Sequence, residues 1–248
     1  MRISRVYFIG SLKADALVSL PAETSHYLSH VLRLRVDDCL HLFNAEDGEF
    51  LVCITGIKKK EVQVQVQEQK IDALAHAQET RLQIHLALGL SRGDRMDIAV
   101  QKSTELGVKR ITPVYTEHGE VKLKADRAEK KLRHWQKIAI NASEQCGRID
   151  IPLIDPPCLL TDWQSNESAG TKLMLDPRGE DRFPVTQEKG EIGLLNLLIG
   201  PEGGFSEMEV IEARGLGFSV VTLGSRVLRT ETAPIAALAI LQYLYGDM

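Results

Sequence analysis

From residue 81 onward the chain alternates short apolar runs with longer helical patterns, and this alternation limits the possible folds more than any other feature. The apolar runs are RLQIHLALGL, ITPVYT, TKLMLDP, NLLIGPEGG and FSVVTLG. The helical patterns are DRMDIAVQKSTELGV, ADRAEKKLRHWQKIAINASEQCG, SEMEVIEARGLG and TAPIAALAILQYLYG. Apolar strands separated by helices are typical of a parallel sheet that is covered on both faces. We therefore predict an α/β domain over residues 73–248.

Residues 1–72 have a different pattern, which is dominated by strands. RVYFI, CLHLFNA and EFLVCITGI are followed by EVQVQVQEQ, in which Val62, Val64 and Val66 alternate strictly with polar residues. Asp47-Gly48 is a typical hairpin turn, and one short helix is expected around SHYLSHVLRL. The pattern predicts a small β-barrel with a domain boundary near residue 72.

The overall charge and the terminal sequence restrict the class of protein. The formal net charge of the 248 residues is -4, which argues against coating nucleic acid through charge alone. The N-terminus lacks a signal-peptide core, and no run reaches the ~18 apolar residues of a membrane span. We therefore expect a cytoplasmic protein that does not insert into a membrane.

The four cysteines do not form a recognisable metal or disulfide motif. Cys39, Cys53, Cys146 and Cys158 are widely spaced and include no C-x-x-C pair. His26 and His30 have the i, i+4 spacing of metal ligands, but H-Y-L-S-H lacks the glutamate of H-E-x-x-H. We expect buried, reduced thiols and no metal site.

A glycine-rich loop follows the run NLLI, at a point where open parallel sheets bind their ligands. Residues 200–204 contain three glycines, and Ser206 and Glu209 have the spacing of a helix capping box. The phosphate motif G-x-x-x-x-G-K-[ST] is absent, so the loop suits a flat heterocycle such as adenine better than a polyphosphate. A purely structural turn is the alternative interpretation.

A second candidate loop, LGSRVLRTETAP, also connects a strand to a helix. Arg226, Arg229 and Glu231 are concentrated there between apolar neighbours. A surface ion pair would explain an arginine beside a glutamate, but the position at a strand end next to a glycine loop favours a functional role.

Four motifs, LLIGPEGGFS, LGSRVLRTETA, RMDIAVQKSTELGV and NASEQCGR, together resemble the ribosomal RNA small subunit methyltransferase E family over essentially the whole chain. Members methylate N3 of a uridine in 16S ribosomal RNA of the small subunit, with S-adenosyl-L-methionine (SAM) as methyl donor. The resemblance implies a PUA-like barrel followed by a SPOUT methyltransferase domain, with a deep trefoil knot in its C-terminal half, and a homodimer. The methyl group of SAM is already activated by its sulfonium, so we expect the reaction to need no metal.

The resemblance also implies which residues bind the cofactor, and the chemistry of uridine N3 suggests catalytic roles. Our hypothesis is that Arg229 stabilises the anion that develops on the uracil, with Glu202 or Glu231 as the base. The expected cofactor-binding residues are Leu175, Leu198, Ile199, Gly200, Pro201, Glu202, Gly203, Gly204, Leu223, Gly224, Arg226, Leu228 and Ala233.

The RNA partner must be recognised locally, because the chain as a whole is acidic. The helix near residue 30 and the basic residues just beyond it suit an RNA-facing surface of the barrel. The motif NASEQCGR is expected near the active site. The expected RNA-binding residues are Arg2, Arg5, His30, Arg33, Arg35 and Arg148.

Three alternatives remain at the level of sequence. A nucleotide-binding or nucleotide-hydrolysing α/β protein would fit the fold, but a Walker lysine and a recognisable magnesium-binding set are absent. A SPOUT enzyme could act on another RNA nucleotide with similar loops. A non-catalytic RNA-binding factor could keep the fold, although its loops would be expected to have eroded.

Overall fold

The computed structural model describes residues 3–58, 61–73, 82–166, 169–179, 181–182 and 193–248. The chain divides into two compact units: Met1–Glu79 with Glu144–Asp150, and Thr80–Ser143 with Ile151–Met248. The return of residues 144–150 to the first unit was not predicted. A boundary near residue 72 stays a prediction, because residues 74–81 lie outside the described ranges.

The first unit is built on one mixed sheet whose strand order is β1-β3-β4-β5-β2. Only β1 and β3 pair in parallel; the other neighbours are antiparallel. Val62, Val64 and Val66 are at most 1% exposed, which confirms the alternation predicted for this strand. The strands in the described residues are β1 (Arg5–Tyr7), β2 (Leu17–Ser19), β3 (Cys39–Asn44), β4 (Gly48–Lys58) and β5 (Glu61–Ile71).

The predicted helix of the first unit is present, but it changes type along its length. Helix α1 (Ala22–His26) begins after Pro21 and continues as a π-helical turn over Tyr27–Val31. The backbone N–H of Leu32 accordingly donates to the carbonyl of Tyr27, five residues earlier. Leu28 is fully buried, so the turn is fixed to the core while its other side chains face outward.

Two of the four cysteines form a disulfide, so the expectation of four reduced thiols is wrong. Cys39 on β3 and Cys53 on β4 are directly opposite each other in the antiparallel ladder, with Cα atoms 4.1 Å apart. Cross-strand neighbours at this distance can be bridged without moving the backbone, whatever their separation in sequence. Cys146 and Cys158 are not part of a disulfide, and Cys146 is exposed rather than buried.

The second unit is a parallel sheet with the strand order β11-β13-β10-β12-β6-β7-β8, and β9 also pairs with β7. Its strands in the described residues are β6 (Gln83–Gly89), β7 (Arg110–Tyr115), β8 (Leu153–Ile154), β9 (Cys158–Leu159), β10 (Thr171–Leu175), β11 (Asp181–Arg182), β12 (Leu194–Ile199) and β13 (Ser219–Thr222). Its helices there are α2 (Arg95–Glu105), α3 (Ala125–Cys146), α4 (Leu160–Asn166), α5 (Glu207–Gly215) and α6 (Thr232–Tyr245).

Helices cover both faces of this sheet, as the continuous apolar strands predicted. One core joins alternate strand residues to side chains of α2, α3 and α6, including Trp135 and Leu238. A second core, on the opposite face, joins the strands to α4 and α5 through Trp163 and Ala213. Among the described residues, no helix is both long enough and apolar enough to cross a membrane.

Candidate active site

A cavity of about 770 Å³ opens at the carboxyl edge of the parallel sheet. Its walls lie at the ends of the neighbouring strands β10, β12 and β13 and just beyond them, and consist of residues 175–178, 199–205, 221–223, 226–231 and 233. Loops that are distant in sequence converge here because the carboxyl ends of parallel strands lie at one edge. Arg95 and His118 also contribute to the wall. The volume lies within the range of small-molecule sites.

The glycine loop forms the floor of this cavity and is held closely by its neighbours. Gly204 has φ +66°, and its N–H donates to the carbonyl of Pro201 at 2.9 Å. A Cβ on Gly203 would lie 2.7 Å from the carbonyl oxygen of His118, and one on Gly89 would collide with Pro201. Glycine is therefore required at these positions by close packing as well as by conformation.

The helix after the loop begins as the sequence predicted. The hydroxyl of Ser206 accepts the backbone N–H of Glu209 at 3.2 Å, and the Glu209 carboxylate accepts the backbone N–H of Ser206 at 2.8 Å. This capping box fixes the direction in which the chain leaves the glycine loop.

Most of the residues expected to bind a cofactor line this one cavity. Apolar side chains form one side of it, and the exposed backbone of the glycine loop faces them. The residues brought together are Leu175, Ile199, Gly200, Pro201, Glu202, Gly203, Gly204, Leu223, Arg226, Leu228 and Ala233.

Two of the expected cofactor-binding residues do not line the cavity. Leu198 is completely buried in the core on the α4–α5 face of the sheet. Its strand neighbours Leu197 and Ile199 point to the other face, because successive side chains of a strand alternate. Gly224 has φ +109° and accepts the hydroxyl of Thr222 at 3.0 Å, so it shapes the turn behind the wall.

Glu202, one of the two expected bases, is engaged by hydrogen bonds. Its carboxylate accepts Nη1 of Arg95 at 2.6 Å and the backbone N–H of Arg92 at 3.3 Å. Burial alone would raise the pKa of Glu202, but hydrogen bonds from backbone N–H groups and Arg95 outweigh it and lower the pKa. A carboxylate in this state is a poor proton acceptor.

Arg229 and Glu231 lie together at the mouth of the cavity. The Arg229 side chain is 81% exposed, whereas that of Glu231 is 17% exposed. Nη1 of Arg229 is 4.0 Å from Oε1 of Glu231, and Oε2 of the same carboxylate accepts the Thr230 hydroxyl at 3.3 Å. This separation is longer than a hydrogen bond, so the donors of the guanidinium remain available to a ligand.

In the same wall, buried Asp176 forms an ion pair with Arg178, whose side chain is 53% exposed; sequence reasoning missed this pair. Asp176 is 3% exposed and accepts Nε, Nη2 and the backbone N–H of Arg178, each at 2.8 Å. Nη2 of Arg178 also donates to the carbonyl of Phe205 at 2.9 Å, directly after the glycine loop. Burial would raise the pKa of Asp176, but the hydrogen bonds from Arg178 lower it. The pair ties the β10 loop to the glycine loop.

We expect Asp176→Asn to lower the melting temperature at pH 7 by about 2–6 °C, since hydrogen bonds to a buried charge are worth about 1–2 kcal/mol. The folded-state pKa of Asp176 is below its ordinary value, so the stabilisation is complete above about pH 4 and disappears as the pH falls through the folded pKa. Calorimetry at pH 7 and pH 3 should therefore show a smaller difference at pH 3. Asp126→Asn, at an exposed position of α3, is the control. If the melting temperatures of Asp176→Asn and wild-type protein differed equally at both pH values, the stabilisation could not come from the ionised carboxylate of Asp176.

The sequence carries only weak signals for the cavity residues that were not predicted from it. Asp176 directly follows a buried strand, which is the one sequence feature that could have singled it out. Arg95 and His118 belong to other strand–helix connections, and only the sheet order brings them to the cavity.

Two of the expected RNA-binding residues are used inside the first unit instead. Arg5 forms an ion pair with Glu49 and donates to the carbonyls of residues 144, 147 and 148. Arg148 pairs with Asp150 at 2.8 Å, and its side chain is 10% exposed. The Arg5 side chain is 14% exposed, so both arginines are largely engaged by partners within this unit. The motif NASEQCGR, in which Arg148 lies, contributes no residue to the cavity wall.

The other expected RNA-binding residues lie on the surface of the first unit, except Arg2, which is outside the described residues. His30, Arg33 and Arg35 are exposed. The rings of His26 and His30 are stacked, with centroids 4.5 Å apart. In the described part of the chain, no group of three or more His, Cys, Asp or Glu side chains is arranged to hold a metal ion.

Comparison with known proteins gives full-length matches. The RNA methyltransferase domain family matches residues 78–242, and the RNA methyltransferase PUA domain family matches residues 20–67. Ribosomal RNA small subunit methyltransferase E of Buchnera aphidicola (subspecies Schizaphis graminum) is 36% identical, and the match covers 100% of this chain and 98% of that protein.

Comparison with solved structures agrees with the family and sequence matches. A methyltransferase from Legionella pneumophila, determined with bound cofactor SAM, is 38% identical with a TM-score of 0.90. Ribosomal RNA small subunit methyltransferase E from Neisseria gonorrhoeae, bound to S-adenosyl methionine, is 35% identical with a TM-score of 0.89. Each match covers 100% of both chains. The α/β domain with a PUA-like N-terminal domain, predicted from the sequence, is thereby confirmed, and the chain belongs to the ribosomal RNA small subunit methyltransferase E family of RNA methyltransferases.

Proposed function

We propose that this protein transfers a methyl group from SAM to N3 of one uridine in 16S ribosomal RNA of the small subunit. The observation that carries the proposal is the cavity at the ends of three neighbouring strands, in a chain whose full-length relatives include two solved with SAM. We place the enzyme in the cytoplasm, with the ribosomal particles it would modify.

The cavity is suited to SAM in chemistry as well as in volume. Leu175, Leu223 and Leu228 supply an apolar wall for a flat ring, while the glycine loop offers backbone groups to its edge. Gly204 adopts φ +66° with open space where a Cβ would be, so a ligand can approach its backbone closely. When bound, SAM supplies a methyl group that its sulfonium has already activated.

The chain's own residues would supply alignment and charge stabilisation. The N3 position carries a proton at neutral pH, and negative charge spreads to the uracil carbonyl oxygens as that proton leaves. We assign Arg229 to those oxygens, because its guanidinium lines the cavity, is exposed and keeps its donors available. Glu202 is held by Arg95 and Glu231 faces Arg229, so neither carboxylate is well placed to act as the base.

RNA recognition is assigned to a local surface of the first unit. His30, Arg33 and Arg35 are exposed and close in sequence, and the stacked ring of His26 adds a flat face beside them. Such a surface can contact the phosphate backbone and unstacked bases even though the chain has a net charge of -4. A base within folded RNA would have to leave its stack to reach the cavity.

We also propose that the enzyme is a homodimer and that its cofactor loops form the trefoil knot typical of the family. Support for the dimer comes from α6, which is apolar nearly all round. Ile240 is 37% exposed and Tyr243 is 65% exposed on this helix, although its opposite side is buried in the core. A second copy would cover these side chains.

Tyr243→Asp is expected to weaken dimerisation by at least about thirtyfold, because a charge at the centre of an apolar interface costs about 2 kcal/mol or more. Light scattering after gel filtration, over a range of protein concentrations, measures the effect. Ile211→Asp is the matched control, since Ile211 is 60% exposed on α5. A dimer equally stable in both variants would place the interface elsewhere.

Cofactor binding can be tested separately from methyl transfer. Isothermal titration with SAM should give saturable binding, and a SAM concentration of 100 times Kd should stabilise the fold by about 2.7 kcal/mol. ATP shares the adenosine but should not bind, because the loops lack a phosphate motif. Binding of ATP with no response to SAM would contradict the proposal and favour a nucleotide-binding protein.

A further inference from the structure

The loop after β7, residues 116–120, brings a histidine to the cofactor cavity that no sequence motif had indicated. His118 lines the cavity beside the glycine loop. The loop is held by a backbone contact before the histidine, since the N–H of Glu117 donates to Glu209 at 2.8 Å; after the histidine, Glu120 forms an exposed ion pair with Arg92 at 2.8 Å. The position of the histidine backbone is therefore fixed with respect to the cavity floor.

The hydrogen bond of the ring determines which nitrogen carries the proton. Nδ1 of His118 lies 3.2 Å from the carbonyl oxygen of Gly203. A carbonyl oxygen can only accept, so Nδ1 must be the donor, and in the neutral ring Nε2 then holds the free lone pair. Within the described residues, Nε2 has no protein hydrogen-bond partner, and the ring is exposed at the cavity. A backbone-oriented imidazole with a free acceptor nitrogen is the arrangement required of a general base.

We propose that His118 is the general base of the methyl transfer and takes the N3 proton of the target uridine on Nε2. The inference rests on the proposed function. The new N3–C bond forms with the nitrogen electron pair, the C–S bond breaks with its electrons going to sulfur, and the proton moves from N3 to Nε2. The imidazolium then returns its proton to solvent, to which the side chain is exposed.

Two properties favour this histidine over the carboxylates of the cavity. A neutral imidazole offers a nitrogen lone pair to a proton, and histidine is the side chain that most often acts as a general base. Glu202 and Glu231 each face an arginine, whereas the hydrogen bond of the His118 ring is to an uncharged carbonyl. The charged groups of the surrounding elements are Glu117 and Glu120 on the same loop, Glu209 on α5, Arg92 and Arg95 near the start of α2, and Glu202 on the glycine loop.

The test compares His118→Asn with wild-type protein in single-turnover methylation of small ribosomal subunits, at saturating SAM and over a range of pH. The asparagine amide can still donate to the Gly203 carbonyl, so SAM affinity should stay within about threefold of wild type. Loss of a general base should lower the rate at neutral pH by about 10²–10⁴-fold. The remaining rate should rise in proportion to hydroxide, and added imidazole should partly restore it.

A second substrate separates proton removal from positioning. Subunits that contain 5-fluorouridine carry a more acidic N3–H, so the difference between wild-type protein and His118→Asn should shrink on them. His134→Asn, the same change on the exposed face of α3, should keep the wild-type rate and pH profile.

The assignment would be overturned if His118→Asn kept the wild-type rate, or if its rate fell with no change in pH profile and no rescue by imidazole or 5-fluorouridine. In both cases wild-type protein would still form 3-methyluridine, and the proposed function would stand. Absence of 3-methyluridine with wild-type protein would instead overturn the proposed function and this assignment together.

Discussion

Replacement of Arg229 by alanine is expected to lower the rate of methyl transfer by about a hundredfold to a thousandfold, while SAM binds with nearly wild-type affinity. The guanidinium is 81% exposed at the cavity mouth, so its removal leaves the core intact. It does remove the positive charge assigned to the uracil oxygens, which is worth most in the transition state. Single-turnover rates and titration calorimetry measure the two effects separately.

Two further variants make the result specific to this residue. Arg229→Lys keeps the charge but loses the planar pair of donors, so an intermediate rate is expected. Arg214→Ala removes an exposed arginine from α5, outside the cavity wall, and should not change the rate. An unchanged rate in Arg229→Ala with SAM still bound would show that another group stabilises the anion.

Replacement of Gly203 by alanine is expected to weaken SAM binding by about tenfold to a hundredfold. The new Cβ would lie 2.7 Å from the carbonyl oxygen and 2.9 Å from the Cβ of His118, so the glycine loop has to move away from residues 116–120. Overpacking of this kind costs about 1–3 kcal/mol, and 1.4 kcal/mol corresponds to a factor of ten in affinity. Titration calorimetry with SAM measures the loss.

A second glycine supplies the matched control. A Cβ on Gly215, at the end of α5, would meet no atom within 4 Å. Gly215→Ala should therefore leave SAM affinity unchanged and the fold at least as stable. If both alanine variants bound SAM like wild type, the contact between the glycine loop and the His118 loop would not shape the cofactor site.

The architecture of the second unit could be predicted because its elements are long and strongly patterned. The apolar runs that became β6, β7, β10, β12 and β13 are bounded by turns, and the predicted amphipathic face of α3 is the face that packs in the core. The strands β8, β9 and β11 were not predicted. Each is only two residues long, which is too short for a period to be recognised.

The position of the site could be predicted for the same reason, but its individual contacts could not. Glycine clusters at strand ends mark the cavity from sequence alone, and most of the residues expected there do line it. Leu198 lies in the core and not in the cavity wall, and an apolar run does not show which face of the sheet each side chain occupies. The ion pair of Asp176 with Arg178 and the placement of His118 depend on the order of strands in space.

The first unit shows a second limit of prediction from the sequence. Arg5 and Arg148 are basic residues of the kind expected on an RNA-binding surface, yet both are committed to internal partners. The disulfide depends on the register of β3 against β4, which places Cys39 opposite Cys53. Neither the register nor the packing of residues 144–150 on this unit could be inferred from spacing along the chain.

The central claim is most directly tested by incubating the purified protein with methyl-labelled SAM and small ribosomal subunits from a strain that lacks the corresponding enzyme. Nucleoside mass spectrometry of the recovered 16S ribosomal RNA then identifies the product. We expect label in 3-methyluridine at a single position. A different methylated nucleoside, or no transfer by protein that binds SAM, would contradict the proposed reaction.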